Sequence, residues 1–176
     1  MTTEIKKAPE ELTPPQREAV HPAHDIWLSA SAGSGKTQVL SARVIRLLLE
    51  RDVYPENLLC LTFTKAAAAE MSERINRRLA NWVQVKDGEL AIELMALGAD
   101  YSPEGKARAR KLFAKVLDAP GGGLQIMTIH SFCQSVLAAF PEEAGLVPGF
   151  EPVEGRAQDE LLRDMLADLV HAADTE

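Results

Sequence analysis

Residues 30–37 read Ala-Ser-Ala-Gly-Ser-Gly-Lys-Thr, and this octapeptide restricts the chain more than any other segment. Ahead of it stands a short apolar run, Ile26-Trp27-Leu28-Ser29-Ala30, and behind it an amphipathic stretch. Small residues between a strand and a helix serve a definite physical purpose. Their backbone N–H groups can converge on a multiply charged anion, glycine tolerates the positive φ this requires, and the helix N-terminus adds partial positive charge. Lys36 can reach the β and γ oxygens of a triphosphate, and the Thr37 hydroxyl can hold Mg²⁺. The strict pattern begins with Gly where Ala30 stands, and Ala is small enough to keep the turn. The competing reading is a glycine-rich turn that only caps a helix.

The rest of the chain fits a strand–helix alternation. Thr13 and Pro14 supply an N-cap and a first helical position, opening a helix to about residue 20 that His21-Pro22 ends. Residues 26–30 read as a buried strand. A helix is expected from Lys36 to about Arg51, with Leu40, Val44, Leu47 and Leu48 on its apolar face and Arg43 and Arg46 opposite. Residues 58–63 read as a second buried strand. A helix over about 65–81 follows, with Met71, Ile75 and Leu79 on one face. Two helices are expected near 89–97 and 103–117, the second rich in Lys and Arg. After Pro120-Gly121-Gly122-Gly123 comes a third strand over 124–128, then a helix over 130–140 stopped by Pro141. An irregular stretch leads to an acidic amphipathic helix near 156–172. Strands separated by helices of this length imply crossovers and a parallel sheet.

Composition sets outer bounds. The chain has 176 residues, is 46% hydrophobic and 26% charged, and can bury a core. No apolar run approaches the roughly 20 residues that span a bilayer. Net charge is −7, which argues against coating nucleic acid by bulk charge; the basic excess sits next to the motifs and the acid at the C-terminal end. Cys60 and Cys133 form no Cys-x-x-Cys and read as two buried, reduced thiols in a cytoplasmic protein.

Four segments in order resemble one family. The loop fits Ala-x-x-Gly-x-Gly-Lys-Thr, and Leu12-Thr13-Pro14-Pro15-Gln16-Arg17-Glu18-Ala19-Val20 precedes it. Leu61-Thr62-Phe63-Thr64-Lys65-Ala66-Ala67-Ala68-Ala69-Glu70-Met71 and Thr128-Ile129-His130-Ser131-Phe132 follow. Together they resemble superfamily 1 DNA helicases of the UvrD/Rep type. The wording is most similar to the AddA group, the helicase–nuclease subunits of bacterial double-strand-break repair. Taken singly, Gln16 reads as a surface helix residue, Phe63 as core and His130 as a helix-capping or packed histidine; their co-occurrence carries the resemblance.

That resemblance implies an α/β P-loop NTPase fold, a partial RecA-like parallel sheet flanked by helices. It implies a polar lead-in over 1–11, a first motor domain over 12–140 with a helical insertion near 82–118, and the start of a helical subdomain from 141 to 176. Gln16 would read the adenine edge. Ala30, Ser31, Ala32, Gly33, Ser34, Gly35, Lys36 and Thr37 would hold the phosphates of ATP, with Lys36 and Thr37 catalytic and Mg²⁺ on Thr37. Phe63, Thr64, Lys65, Thr128 and His130 would line a track for single-stranded DNA. The implied activity is ATP-driven 3′-to-5′ translocation beside an AddB-like partner protein, in a bacterial cytoplasm at the nucleoid.

Hydrolysis in such enzymes needs a strand ending in Asp-Glu. Asp159-Glu160 lies in a polar helical stretch and Glu142-Glu143 in a loop, so neither qualifies. The chain therefore reads as the N-terminal portion of a longer helicase, inactive in ATP turnover alone. Arg74, Arg77 and Arg78, and the basic helix 106–115, read as solvated faces, the latter with duplex DNA as the alternative. Two rivals stay open: a P-loop kinase of a small metabolite, and a nucleotide-binding module without catalysis. A partial sheet leaves an unpaired edge. The isolated chain is accordingly expected to unfold below about 60 °C or to aggregate; a cooperative calorimetric transition well above that would overturn the expectation.

Overall fold

The computed structural model describes residues 12–29, 31, 33, 35–153 and 155–174. The lead-in 1–11 lies outside them. The chain forms two compact units divided between Ile129 and His130.

In the first unit, α1 (Pro14–Val20), α2 (Lys36–Leu48), β1 (Leu59–Thr62), α3 (Lys65–Gln84), α4 (Asp87–Ala96), α5 (Pro103–Leu117) and β2 (Gln125–Thr128) follow in order. β1 and β2 run parallel, with Leu59 opposite Gln125 and Thr62 opposite Thr128. Helix α3 is the hub and packs on α2, α5 and both strands. Its buried residues Met71, Ile75, Leu79 and Trp82 recur at three- and four-residue steps and form one face. Leu90, Leu94, Ala109, Leu112 and Val116 from α4 and α5 join the same hydrophobic cluster, as do Val39, Ala42 and Ile45 from α2.

Polar contacts fix how these helices meet. The buried Trp82 indole N–H donates to Glu93 Oε2 at 2.6 Å, and Arg78 Nε reaches the same oxygen at 3.3 Å. The Arg110 guanidinium donates to the carbonyls of Trp82, Val83 and Val85 and to Asp87, so it satisfies the C-terminal end of α3. Arg108 bonds the Leu49 carbonyl and Asp100, Lys106 bonds Asp87, and Lys115 bonds the Val53 carbonyl and lies over the Tyr54 ring. The expectation of a solvated basic face on this helix is corrected for those four residues. Their cations tie α5 to its neighbours.

Other expectations need correction. Residues 26–29 form no strand, and Trp27 is 93% exposed; Ala30 lies outside the described residues. A strand needs hydrogen-bonding neighbours, and this run has none in the sheet of β1 and β2. The described sheet therefore has two strands and not three. β1 is only half buried, with Leu59 and Leu61 exposed. On α2 the buried apolar residues are Val39, Ala42, Val44, Ile45 and Leu48, so Val44 and Leu48 are buried as expected, while Leu40 is exposed and Leu47 half-buried, and the helix stops at Leu48 rather than Arg51. Too many apolar residues crowd this stretch for spacing alone to select the face.

The second unit holds α6 (Ile129–Ala139), which starts one residue before it, and α7 (Arg156–Asp174). Turns join them, with the Leu146 N–H donating to the Pro141 carbonyl at 2.8 Å. Cys133 on α6 is exposed, not buried as expected; Cys60 on β1 is half-buried, and burial pushes its thiol pKa up.

Glu93 accepts from a buried indole, so Glu93→Ala is expected to lower the unfolding free energy by about 2–3 kcal/mol in urea. Arg77→Ala, on an exposed face, is expected to change it by about 0.5 kcal/mol at most. An equally small loss for Glu93→Ala would show that packing alone holds Trp82. Arg110 and then Lys106 hold the Asp87 carboxyl below the usual range, and Ser102 and then Arg108 do so for Asp100. Carboxylates with lowered native pKa add stability above about pH 4 and lose it as pH falls through the native value. Asp87→Asn should therefore flatten the acid limb of the stability curve; an unchanged limb would remove Asp87 from the account.

Candidate functional site

The phosphate-loop reading rests on a backbone requirement, and the described residues meet it. Gly33 and Gly35 have φ of 78° and 83°, a region that side chains with Cβ avoid. Gly35 is the N-cap of α2, and its carbonyl accepts from the Val39 N–H at 3.0 Å. A Cβ on Gly35 would stand 3.3 Å from Gln38 Oε1 and 3.6 Å from Gln16 Nε2. Lys36 opens α2, is exposed, and donates from Nζ to the Ser31 carbonyl at 3.0 Å, which holds its ammonium at the loop. Thr37 is half-buried in the first turn. Ala30, Ala32 and Ser34 lie outside the described residues.

These features suit a polyphosphate. The loop lacks bulk, the helix N-terminus opens at it, and one cation and one hydroxyl stand at its end. Among the described residues no group of three or more His, Cys, Asp or Glu could hold a metal ion. A magnesium ion here would rest on Thr37, on phosphate oxygens and on waters, since this ion keeps several waters and binds through substrate phosphates.

Gln16 is brought to the loop from α1. The Thr13 N–H donates to its Oε1 at 2.9 Å, which completes part of a capping box. An N–H donor fixes that atom as oxygen, so the amide nitrogen is the end that lies nearer Gly35.

A cavity of about 450 Å³ is lined by Leu12, Gln38, Ser41, Arg74, Arg78 and Asn81, among others. Ser41 is 3% exposed, and its Oγ has no hydrogen-bond partner among the described residues. Arg74 bonds Glu70 at 3.0 Å. The expectation that Arg74, Arg77 and Arg78 form one solvated face is corrected: all three line the cavity, where Arg77 is exposed and Arg74 and Arg78 are half-buried. Sequence reasoning missed Gln38 and Ser41 altogether. The available signal was position, since Gln38 directly follows Gly-Lys-Thr and Arg74 adjoins the buried stripe of α3.

The sheet forms a second locus. β1 and β2 end in register at Thr62 and Thr128. Phe63 follows Thr62 and is 87% exposed. Thr64 N-caps α3, its Oγ1 accepting from the Ala67 N–H at 3.1 Å, and Lys65 is the first residue of that helix. Thr62 Oγ1 donates to the Thr64 carbonyl at 3.0 Å and braces the turn. Thr128 is 7% exposed. His130 is exposed in the first turn of α6 and belongs to the second unit. Among the described residues neither acidic pair follows a strand in sequence: Asp159-Glu160 lies exposed on α7, where Glu160 pairs with Arg156, and Glu142-Glu143 lies in a turn.

The UvrD/REP helicase N-terminal domain pattern matches residues 12–176. The A subunit of the ATP-dependent helicase/nuclease of Latilactobacillus sakei subsp. sakei is 39% identical over 165 residues, which is 93% of this chain and 16% of that protein. The proteins of the same name from Desulforamulus reducens and Moorella thermoacetica are 36% and 37% identical over 82% of this chain. The chain spans 10% and 9% of their lengths. A match running from the Gln16 segment through both strands to the end of the chain settles the family: this chain belongs to the UvrD/REP helicase N-terminal domains.

Proposed function

We propose that this chain is the nucleotide-binding part of the first, RecA-like motor domain of an ATP-dependent DNA helicase working in double-strand-break repair. The observation that carries the reading is the loop geometry: two left-handed glycines, Lys36 folded onto the loop, and Gln16 alongside. The name shared by the relatives supports the activity.

The backbone from Ala30 through Ser31, Ala32, Gly33, Ser34 and Gly35 would cradle the phosphates. Lys36 would neutralise charge that grows on the γ-phosphoryl oxygens, and Thr37 would hold Mg²⁺. The ion, when bound, supplies electrostatic stabilisation of the transferring group. Gln16 would read the base edge. The cavity at Gln38, Ser41 and Arg74 would take the base or ribose, since an orphaned hydroxyl in a cleft is satisfied by a polar ligand.

Single-stranded DNA would cross the carboxyl ends of β1 and β2, where ligands of open α/β sheets bind. Phe63 would stack on a base, and Thr64 and Lys65 at the α3 N-terminus would meet a phosphate. Thr128 would shape the floor beneath, and His130 would continue the track. Movement 3′ to 5′, contact with duplex DNA and an AddB-like partner protein belong to the same reading, as do a cytoplasmic, nucleoid-associated site of action and the division at 140. No helix among the described residues is long and apolar enough to cross a membrane.

The test uses the full-length gene product. Lys36→Ala is expected to reduce MgATP hydrolysis by more than about 100-fold. Phe63→Ala is expected to weaken single-stranded-DNA stimulation by about 1–3 kcal/mol of lost stacking while basal hydrolysis persists. Hydrolysis that ignores DNA altogether would overturn the helicase reading and favour a small-metabolite kinase. Nucleotide-dependent partner binding without hydrolysis would favour the non-catalytic module.

A further inference from the structure

Arg43 stands on α2 seven residues past Lys36, about two helical turns. Its guanidinium donates to three carbonyls of another segment. Nη1 reaches Ala19 at 3.1 Å and His21 at 2.8 Å, and Nη2 reaches His24 at 2.7 Å. Ala19 lies in the last turn of α1, His21 is its C-cap, and His24 follows in the next turn. The Ala19 carbonyl is one that the helix end leaves without an intrahelical partner, at the negative end of its dipole, while the His21 and His24 carbonyls belong to the C-cap and the turn that follows. A planar fork of donors meets three acceptors at once, which a lysine ammonium matches poorly.

Helix α1 has seven residues and buries only Ala19 and Val20. Small apolar contacts are non-directional and leave rotation and sliding cheap. The guanidinium bonds are directional, so they set the register of α1 on α2. Gln16 rides on α1, and its amide nitrogen lies beside Gly35 of the loop that opens α2. A one-residue rotation of α1, about 100°, would carry that amide off the loop.

We infer that Arg43 is a positioning residue for base recognition: by locking α1 onto α2 it holds the Gln16 amide beside the phosphate loop. This rests on the nucleotide reading of the site. The inference separates two jobs, since the phosphate loop is built on α2 itself and Gln16 is delivered from outside it.

The experiment compares wild type, Arg43→Ala, Arg43→Lys, Gln16→Ala and the double alanine variant in the full-length gene product. The probes are MgATP, MgGTP and magnesium tripolyphosphate, with affinities from calorimetry. Arg43→Ala should lower the ATP-over-GTP preference about tenfold, the worth of roughly one lost hydrogen bond. Tripolyphosphate affinity should stay within about twofold, because no base is read. Arg43→Lys should fall between, and the double variant should be no worse than Gln16→Ala, the non-additivity expected of residues acting through one contact. An unchanged preference in Arg43→Ala, additive losses in the double variant, or equal falls for all three probes would overturn the inference. Failure of wild type to bind any probe, or an intact preference in Gln16→Ala, would instead sink the nucleotide reading and this inference with it.

Discussion

One stripe on α3 organises the first unit. Met71, Ile75, Leu79 and Trp82 present a continuous apolar face, and α2, α5 and the sheet pack against this helix. Trp82 is the largest fully buried side chain, and its N–H must find an acceptor or cost about 1–3 kcal/mol. Glu93 on α4 supplies it, and Arg78 neutralises Glu93 from one turn back on α3. The burial of one aromatic ring thus brings a carboxylate and a guanidinium with it. The same helix begins directly after Phe63 and its N-cap Thr64 and carries Arg74 into the cavity beside α2. Core and candidate site are two ends of one element.

The basic residues of α5 show how charge is used here. Arg110 closes the carbonyl end of α3, Arg108 reaches the Leu49 carbonyl after α2, and Lys115 reaches Val53 before β1. Each bonds backbone that a helix end or connection leaves without a ladder partner. Arg43 does the same for α1. A guanidinium serves this well because its forked donors match several carbonyls while the stem packs along apolar surface. Cations adjoining the motifs therefore need not imply bound nucleic acid, since Arg43, Arg78, Arg108, Arg110 and Lys115 hold segments of the chain to one another.

How much of this was legible from residues alone follows from the range of the interactions. Helices α1, α3, α4, α5 and α7 were visible because a cap and a 3.6-residue repeat are local. The left-handed glycines were visible for the same reason, since Gly-x-Gly-Lys-Thr after an apolar run demands them. Residues 26–29 misled because a strand exists only beside another strand, and their apolar content carries no record of the neighbour. On α2 the spacing placed Val44 and Leu48 correctly and misplaced Leu40 and Leu47, because Val39, Leu40, Val44, Ile45, Leu47, Leu48 and Leu49 fit more than one stripe, and packing chose between them. Contacts from an arginine to a distant carbonyl leave no trace in spacing at all. Gln38 and Ser41 stayed hidden because a cavity between two helices has no motif.

Gln16 shows why local and functional roles are hard to separate. Its Oε1 caps α1 through the Thr13 N–H, so one amide oxygen is partly committed to folding. That bond removes the rotational freedom of the amide and points its nitrogen toward Gly35. Gly35 is required by its φ of 83°; a Cβ there would lie 3.6 Å from the Gln16 amide nitrogen, an ordinary contact, and 3.3 Å from Gln38 Oε1, which a small side-chain shift would relieve. The cap, the glycine and the Arg43 clamp are thus a single arrangement, in which each contact restricts the next. A carbonyl oxygen has two lone pairs, so the capped Gln16 keeps one acceptor site and its amide donors for a base edge. In the proposed base recognition this structural bond would pre-orient the Gln16 amide and would not compete with it, because reading a base requires a donor and an acceptor held in one plane.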